Sequence, residues 1–185
     1  MENWERLLLR CLMSIEAQTY KNYEVILIKH STMPVTSNRT IESATGDLVK
    51  ILYMDDYLAH GNALQEIVDN IGDKQWLVTG CLHDDGSGPK NYHTPKYEDQ
   101  IYTGVNGIGS PSVLTMRREA VLLFDTNLSW LLDCDLYKRL HDSYGLPVIL
   151  DTPNVVIGLH PGQASNTMAD DKKRDEGLYM LKKHK

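Results

Sequence analysis

The sequence predicts an α/β fold, and three observations carry that prediction. Short β-rich apolar runs occur at 23–28, 47–54 and 75–82. Around them lie stretches whose apolar residues repeat at helical spacing, first Leu8, Leu12 and Ile15, then Ala63, Leu64, Ile67, Val68 and Ile71, and later Leu132, Leu136 and Leu140. Strands alternating with helices bury their apolar faces as a sheet carrying helices on its surfaces. With 185 residues and 42% hydrophobic content, the chain is long enough for one real core and too short for two, so residues 1–185 read as a single domain.

Residues 3–18 form the first expected helix, its apolar stripe widened by Leu9 and Met13. Lys21-Asn22 makes a turn into Tyr23-Glu-Val-Ile-Leu-Ile28, a buried strand by composition. A polar loop at 31–38 contains Pro34, a short helix covers 39–44, and Gly46 stands where a residue after a helix end is expected. The strand at 47–54 then delivers the adjacent carboxylates Asp55 and Asp56. A helix follows from about residue 60, ended by Gly72, and 75–82 is a further buried strand. Residues 83–109 read as a long irregular stretch rich in Gly, Pro, Asp, Asn and Tyr, and loops of that length in compact domains are commonly functional. The expected elements end with a strand at 112–116, a helix at 131–144, and late strands at 147–150 and 155–159 flanking Asp151-Thr-Pro-Asn154.

The formal net charge of −6 argues against nucleic acid as a partner, because such proteins present a basic face. Basic residues do gather in the tail at Lys172, Lys173, Arg174, Lys182, Lys183 and Lys185, interleaved with Asp170, Asp171, Asp175 and Glu176. This reads as a solvated terminal helix, with room for at most a weak contact with an anionic membrane surface. Cys11, Cys81 and Cys134 are odd in number and widely spaced, as expected of free thiols in a reducing compartment. No apolar run approaches a transmembrane length and no signal-peptide layout opens the chain, so the expected location is cytoplasmic.

Four residues stand out for chemistry. Asp55 and Asp56 follow a strand, and ligands in open α/β sheets bind just outside carboxyl ends of strands. Mg²⁺ and Mn²⁺ take oxygen ligands and commonly share one or two carboxylates with substrate phosphates; a turn or capping role is the alternative. Successive helix positions point about 100° apart, so Asp133 and Asp135 cannot share one face: at most one faces a cleft as a proton acceptor while the other stays solvated near the helix start. His160, in Gly158-Leu-His-Pro-Gly-Gln163, ends a β run. Asn106-Gly-Ile-Gly-Ser-Pro-Ser112 is glycine-rich without the lysine of a phosphate loop, and reads as a tight exposed turn.

Taken in order, these segments resemble a family 2 glycosyltransferase of the GT-A fold. Arg10 through Ile28 is similar to that family's first helix running into its second strand. Ala44-Thr-Gly-Asp-Leu followed by Asp55-Asp56 resembles the "A.G" element and the acidic DxD-type motif, and Gly109-Ser-Pro-Ser112 the turn before the acceptor-side strand. Leu128-Ser-Trp-Leu-Leu-Asp133-Cys-Asp-Leu-Tyr-Lys-Arg-Leu140 resembles the "ED..L..RL" helix, and His160-Pro-Gly-Gln-Ala-Ser165 the "H..Q.S" element. The resemblance implies a three-layer α/β/α sandwich with a mixed, mostly parallel sheet. Residues 1–85 would then be the nucleotide-sugar side, 86–165 the acceptor side and 166–185 a helical tail.

The resemblance also implies metal-dependent, inverting transfer of a sugar from a nucleotide-sugar donor to a hydroxyl of a glycan or other acceptor. Asp55 would lie toward the sugar nucleotide, Asp56 would ligate Mn²⁺ or Mg²⁺ on the diphosphate, His160 would approach that metal, and Asp133 would be the general base. The family opens with a strand ahead of the first helix, whereas this sequence begins at Met1 in or just before that helix; the expected sheet therefore lacks its first strand. Lys29-His30-Ser-Thr32 stands where the family carries an acidic base-binding loop, and Leu132 replaces the acidic residue ahead of the general base. Two other functions are compatible with the residues: a non-catalytic nucleotide- or carbohydrate-binding remnant, and a metal-dependent phosphohydrolase using Asp55, Asp56, His60 and His83.

Overall fold

The computed structural model describes residues 4–29 and 32–185. Helix α1 (Trp4–Glu16) and helix α2 (Met33–Ser43) precede strand β1 (Leu48–Lys50). Strand β2 (Tyr57–Leu58), helix α3 (Ala63–Asn70), strand β3 (Trp76–Asp84) and strand β4 (Lys90–His93) follow. The second half holds β5 (Leu114–Arg117), α4 (Leu132–Tyr144), β6 (Val148–Gly158), α5 (Ala164–Thr167) and α6 (Asp170–His184). One sheet runs in the order β1-β5-β3-β6-β2, with β4 also paired to β3.

The sheet is mixed, as expected, but its pairings are mostly antiparallel. Only β3–β6 is parallel among the described residues, while β1–β5, β2–β6, β3–β4 and β3–β5 run antiparallel. The reason lies in the first half: the β-rich run at 23–28 has no regular secondary structure and joins no ladder, so it adds no parallel partner to β1. Strand β1 itself covers only the start of the 47–54 run. Antiparallel β5 is inserted between β1 and β3.

Other differences have local causes. The loop expected at 31–38 is mostly the opening of α2, with Pro34 in its first turn, where a missing N–H and a fixed φ favour the helix. His30 and Ser31, part of the Lys29–Thr32 stretch, lie outside the described residues. The two late strands are one continuous strand, β6. Its register against β3 jumps from Thr79↔Leu150 to Gly80↔Pro153 to Cys81↔Val155. The extra β6 residues bulge out there, and Gly80 accommodates them: a Cβ at that position would stand 2.8 Å from the Thr152 carbonyl oxygen. Within 83–109, Lys90–His93 returns as a hairpin partner of β3, and Asp99–Thr103 is a 3₁₀ turn.

The core is built on β3 and α4. Trp76 and Tyr137 are fully buried and stack with ring centroids 6.2 Å apart, and Trp76 Nε1 donates to the Gly145 carbonyl at 2.9 Å. Helix α1 is fastened by the buried amide of Gln18, which donates to His60 O at 2.7 Å and accepts from Leu64 N at 3.0 Å. All three cysteines are free and buried. No helix among the described residues is long and apolar enough to cross a membrane.

The C-terminal helix is only partly the solvated element expected. One face carries Glu176, Met180, Lys183 and His184 onto the body. Glu176 accepts the N–H groups of Ser129, Trp130 and Leu131 at 2.8–2.9 Å, which are donors just ahead of α4 that its own turns cannot satisfy. Glu176→Ala is expected to destabilise the fold by about 1.5–3 kcal/mol, the scale of hydrogen bonds to a charged group. Chemical denaturation would check this, with Arg174→Ala on the exposed face as the near-neutral control.

Candidate functional site

Asp55 and Asp56 occupy the turn between the extended chain after β1 and strand β2. Their side chains have separate fates. Asp56 is 2% exposed; its Oδ1 accepts the Gly158 N–H at 2.8 Å and its Oδ2 the Ser110 hydroxyl at 3.4 Å. Burial, and then the neighbouring Asp55 charge, push its carboxyl well above the usual carboxylate range. Asp55 remains partly open, with Oδ2 3.1 Å from His160 Nε2. Metal ligation was expected of Asp56 with His160; the structure instead puts Asp55 beside His160 and spends Asp56 on the end of β6.

The position of Asp55 is over-determined. Its carbonyl accepts from Arg10 Nη2 at 2.8 Å, and the same guanidinium donates to Asp84 at 3.0 Å and lies 4.2 Å over the Tyr57 ring. Tyr57 also donates to Asp84. Arg10 thereby ties α1, the end of β3 and the acidic turn into one cluster. His160 Nδ1 accepts the Gly162 N–H at 3.2 Å, so Nε2 carries the proton shared with Asp55.

Asp133, the second residue of α4, is half-buried. Its Oδ1 accepts from Cys134 N at 2.7 Å and its Oδ2 from Asn106 Nδ2 at 2.8 Å. Burial pushes its carboxyl up to about 6, with those donors restraining the rise. Asn106 in turn accepts the Ile108 and Gly109 N–H groups at 2.9 Å, and the Tyr137 hydroxyl donates to the Gly109 and Ser110 carbonyls. The glycine-rich turn is therefore wound against Asp133. Asp135 is not solvated as expected: it is fully buried and paired with Arg139, Lys183 and His184 at 2.7–2.9 Å.

Asp55, Asp56, Asp133 and His160 all line one cleft of about 1390 Å³. Lys50 lines it too, donating to the Ser112 carbonyl. Burial pulls Lys50 down to about 7, with Asp56 partly opposing that fall. Sequence reasoning missed Arg10, Lys50, Asn106 and Tyr137 as parts of this site. Tyr137 had a usable signal, since it lies one helical turn after Asp133 and so shares its face. Arg10 had none, because its partners are 45 and 74 residues away.

The residues of the phosphohydrolase reading do not converge. His60 lies 3.8 Å from Glu66, and His83 contacts the Asn91 carbonyl. Among the described residues, Asp99, His141 and Asp142 gather their ligand atoms near the other end of α4, but Lys138 already pairs with both carboxylates there.

Compared by sequence, the chain matches no protein-family model and no curated protein. Compared by structure, it is similar to TarS of S. aureus. TarS 1–349 in complex with UDP-GlcNAc superposes with a TM-score of 0.70 at 13% identity, over 98% of this chain and 63% of that one. The complex with UDP gives 0.65 at 15% identity, over 98% and 69%. TarS 1–349 alone gives 0.64 at 15%, over 85% and 58%. This chain thus spans about three-fifths of the length of those structures. The fold is glycosyltransferase-like.

Gly158 is where the two sides of the acidic turn meet. A Cβ there would overlap the Asp55 carbonyl oxygen, so Gly158→Ala must displace either the turn or the end of β6. The expected cost is about 1–3 kcal/mol, measured by denaturant unfolding. Gly46→Ala, whose Cβ would meet only an ordinary 3.6 Å contact, should change stability far less.

Proposed function

We propose that this chain is a family 2-type glycosyltransferase domain that transfers a sugar from a nucleoside-diphosphate donor to an acceptor hydroxyl with inversion. The observation carrying this reading is that an Asp55–His160 pair and a second carboxylate of raised pKa, Asp133, open into one cleft. The fold supports it, because structures with the same architecture have been solved with UDP and UDP-GlcNAc.

The pair fits a divalent cation. Two donors bound side by side to an octahedral ion at about 2.1 Å stand about 3.0 Å apart, and Asp55 Oδ2 and His160 Nε2 are separated by 3.1 Å. Asp55 and His160 would supply two ligands and the donor's phosphates the others; binding through Nε2 would shift the His160 proton to Nδ1 and release the Gly162 N–H contact made there. Bound there, Mn²⁺ or Mg²⁺ would offset the charge developing on the leaving nucleoside diphosphate. Asp56 acts as a positioning residue, fixing the acidic turn to β6.

Asp133 accepts the proton of the acceptor hydroxyl. The hydroxyl oxygen then bonds to the anomeric carbon as the bond to the diphosphate oxygen breaks, and attack from the opposite face inverts that centre. A base is most useful with a pKa near working pH, and burial of Asp133 moves it in that direction. Asn106 holds one carboxylate oxygen and the start of α4 the other, which fixes the orientation of the base.

The test is UDP release from UDP-GlcNAc and other UDP-sugars with Mn²⁺, together with calorimetric titration by UDP. Asp133→Asn should lower turnover about 10²–10⁴-fold while UDP binding persists. Activity should rise with pH through about 6, because the base works only when ionised. Asp55→Ala and His160→Ala should remove the Mn²⁺ dependence of UDP binding. Failure of the folded wild type to bind UDP, or full turnover by Asp133→Asn, would sink the reading.

A further inference from the structure

Lys50 is the cleft residue that the fold alone does not explain. It lies in β1 beside Val49 and Ile51, both buried in the main core, and pairs across the ladder with Thr115. A lysine is rarely set against a core unless an anion meets it. Here, among the described residues, the ammonium makes no ion pair. It donates to two neutral carbonyls, that of Ser112 and, at 3.2 Å, that of Ile51. Burial outweighs the attraction of Asp56 and pulls the group down to about 7, so folding disfavours its charged form. A methionine or leucine would fill this place in the strand with no ammonium to desolvate. A residue that breaks a local rule without a local gain points to the site beside it.

What the ammonium holds is the turn at 106–112. Ser112 is fully buried and is gripped twice from the β1 side, at its carbonyl by Lys50 and at its hydroxyl by the Tyr53 N–H at 2.9 Å. Its own N–H donates to the Ser110 hydroxyl oxygen at 3.3 Å, and that hydroxyl donates to Asp56. On the far side, the Gly109 and Ser110 carbonyls accept from Tyr137 of α4, and Asn106 donates to Asp133. The turn thus reaches the acidic pair through Ser110 and the base through Asn106. Lys50 fastens it to a strand of the sheet. A flexible four-carbon stem ending in a charged donor suits that span.

We propose that Lys50 is a positioning residue of the transfer reaction, whose ammonium anchors the Ser112 carbonyl and thereby holds the 106–112 turn where it sets Asp133 against Asp55. Its part in the reaction rests on the glycosyltransferase reading; the anchoring rests on the hydrogen bonds alone. Lys50 touches no reacting atom and acts through Ser112. Small misplacements of reacting groups are costly, since a shift of about 1 Å can lower turnover about 10²-fold.

Lys50→Met keeps the stem and removes the charged donor. Its melting temperature should be no lower than that of the wild type, because relief of the ammonium's desolvation offsets the two hydrogen bonds lost. Amide exchange, which needs no substrate, should quicken about tenfold or more at Ile108, Gly109 and Ser112 and stay unchanged along α3. With UDP-GlcNAc and Mn²⁺, kcat should fall about 10²-fold, while UDP affinity and the pH at which activity rises are kept. In an Asp133→Asn background the same substitution should lower turnover no further, since Lys50 acts through the alignment of that base. Unchanged exchange at the turn, or wild-type kcat in folded Lys50→Met, would overturn the proposal. So would a lowered melting temperature with faster exchange throughout the sheet, which would make Lys50 a support of the fold. Wild-type protein that binds no UDP would instead sink the glycosyltransferase reading, and the role of Lys50 in the reaction with it.

Discussion

The contact on which the site depends is the buried Asp56 carboxylate bridging the Gly158 N–H and the Ser110 hydroxyl. Three chain segments distant in sequence meet there: the acidic turn, the end of β6 and the loop ahead of β5. A carboxylate this deep is costly unless donors hold it, and losing those donors would push it further toward the neutral form that burial already favours. That cost makes the geometry stiff. With Gly158 packed against the Asp55 carbonyl, Asp55 has little freedom, and its side chain is left facing His160.

Arg10 works from the other side of the same turn. Its guanidinium takes the Asp55 carbonyl and the Asp84 carboxylate while lying on Tyr57. Asp84 is itself wrapped by the Gly86 and Gly88 N–H groups, and these donors, with Tyr57 and Arg10, keep its carboxyl below the usual range despite burial. The acidic turn is thus clamped between a carboxyl that is spent, Asp56, and a cation that is spent, Arg10. Asp55 is the group left over for a ligand.

Much of this was legible in the sequence, and the limits are physical. Helix α4 was found almost to the residue because Leu132, Leu136 and Leu140 repeat cleanly and Gly145 ends it with positive φ. That Asp55, Asp56, Asp133 and His160 line one cleft was implied by the family resemblance and by no spacing among them. Which member of the acidic pair is buried could not be read, since adjacent residues share composition and differ only in which side of the turn they face. The run 23–28 failed for a different reason. Its local preference is for a strand, but a strand needs backbone partners, and pairing is a property of the whole sheet. The antiparallel insertion of β5 is non-local in the same sense.

The opposite fates of Asp133 and Asp135 show how the second half of the site is held. Both lie in the first turn of α4, about 200° apart around its axis. Asp135 faces inward and is neutralised by Arg139, Lys183 and His184, two of which belong to α6. Glu176 of the same helix accepts the N–H groups just ahead of α4. Helix α6 therefore fixes both the start and the rotation of α4, and that rotation directs Asp133 into the cleft, where Asn106 holds it. The half carrying Asp55 and His160 rests on strand ends, and the half carrying Asp133 on a helix locked from behind. The two halves meet at Ser110, whose hydroxyl donates to Asp56 and whose carbonyl accepts from Tyr137 of α4, so the turn at 106–112 sets the spacing between Asp55 and Asp133.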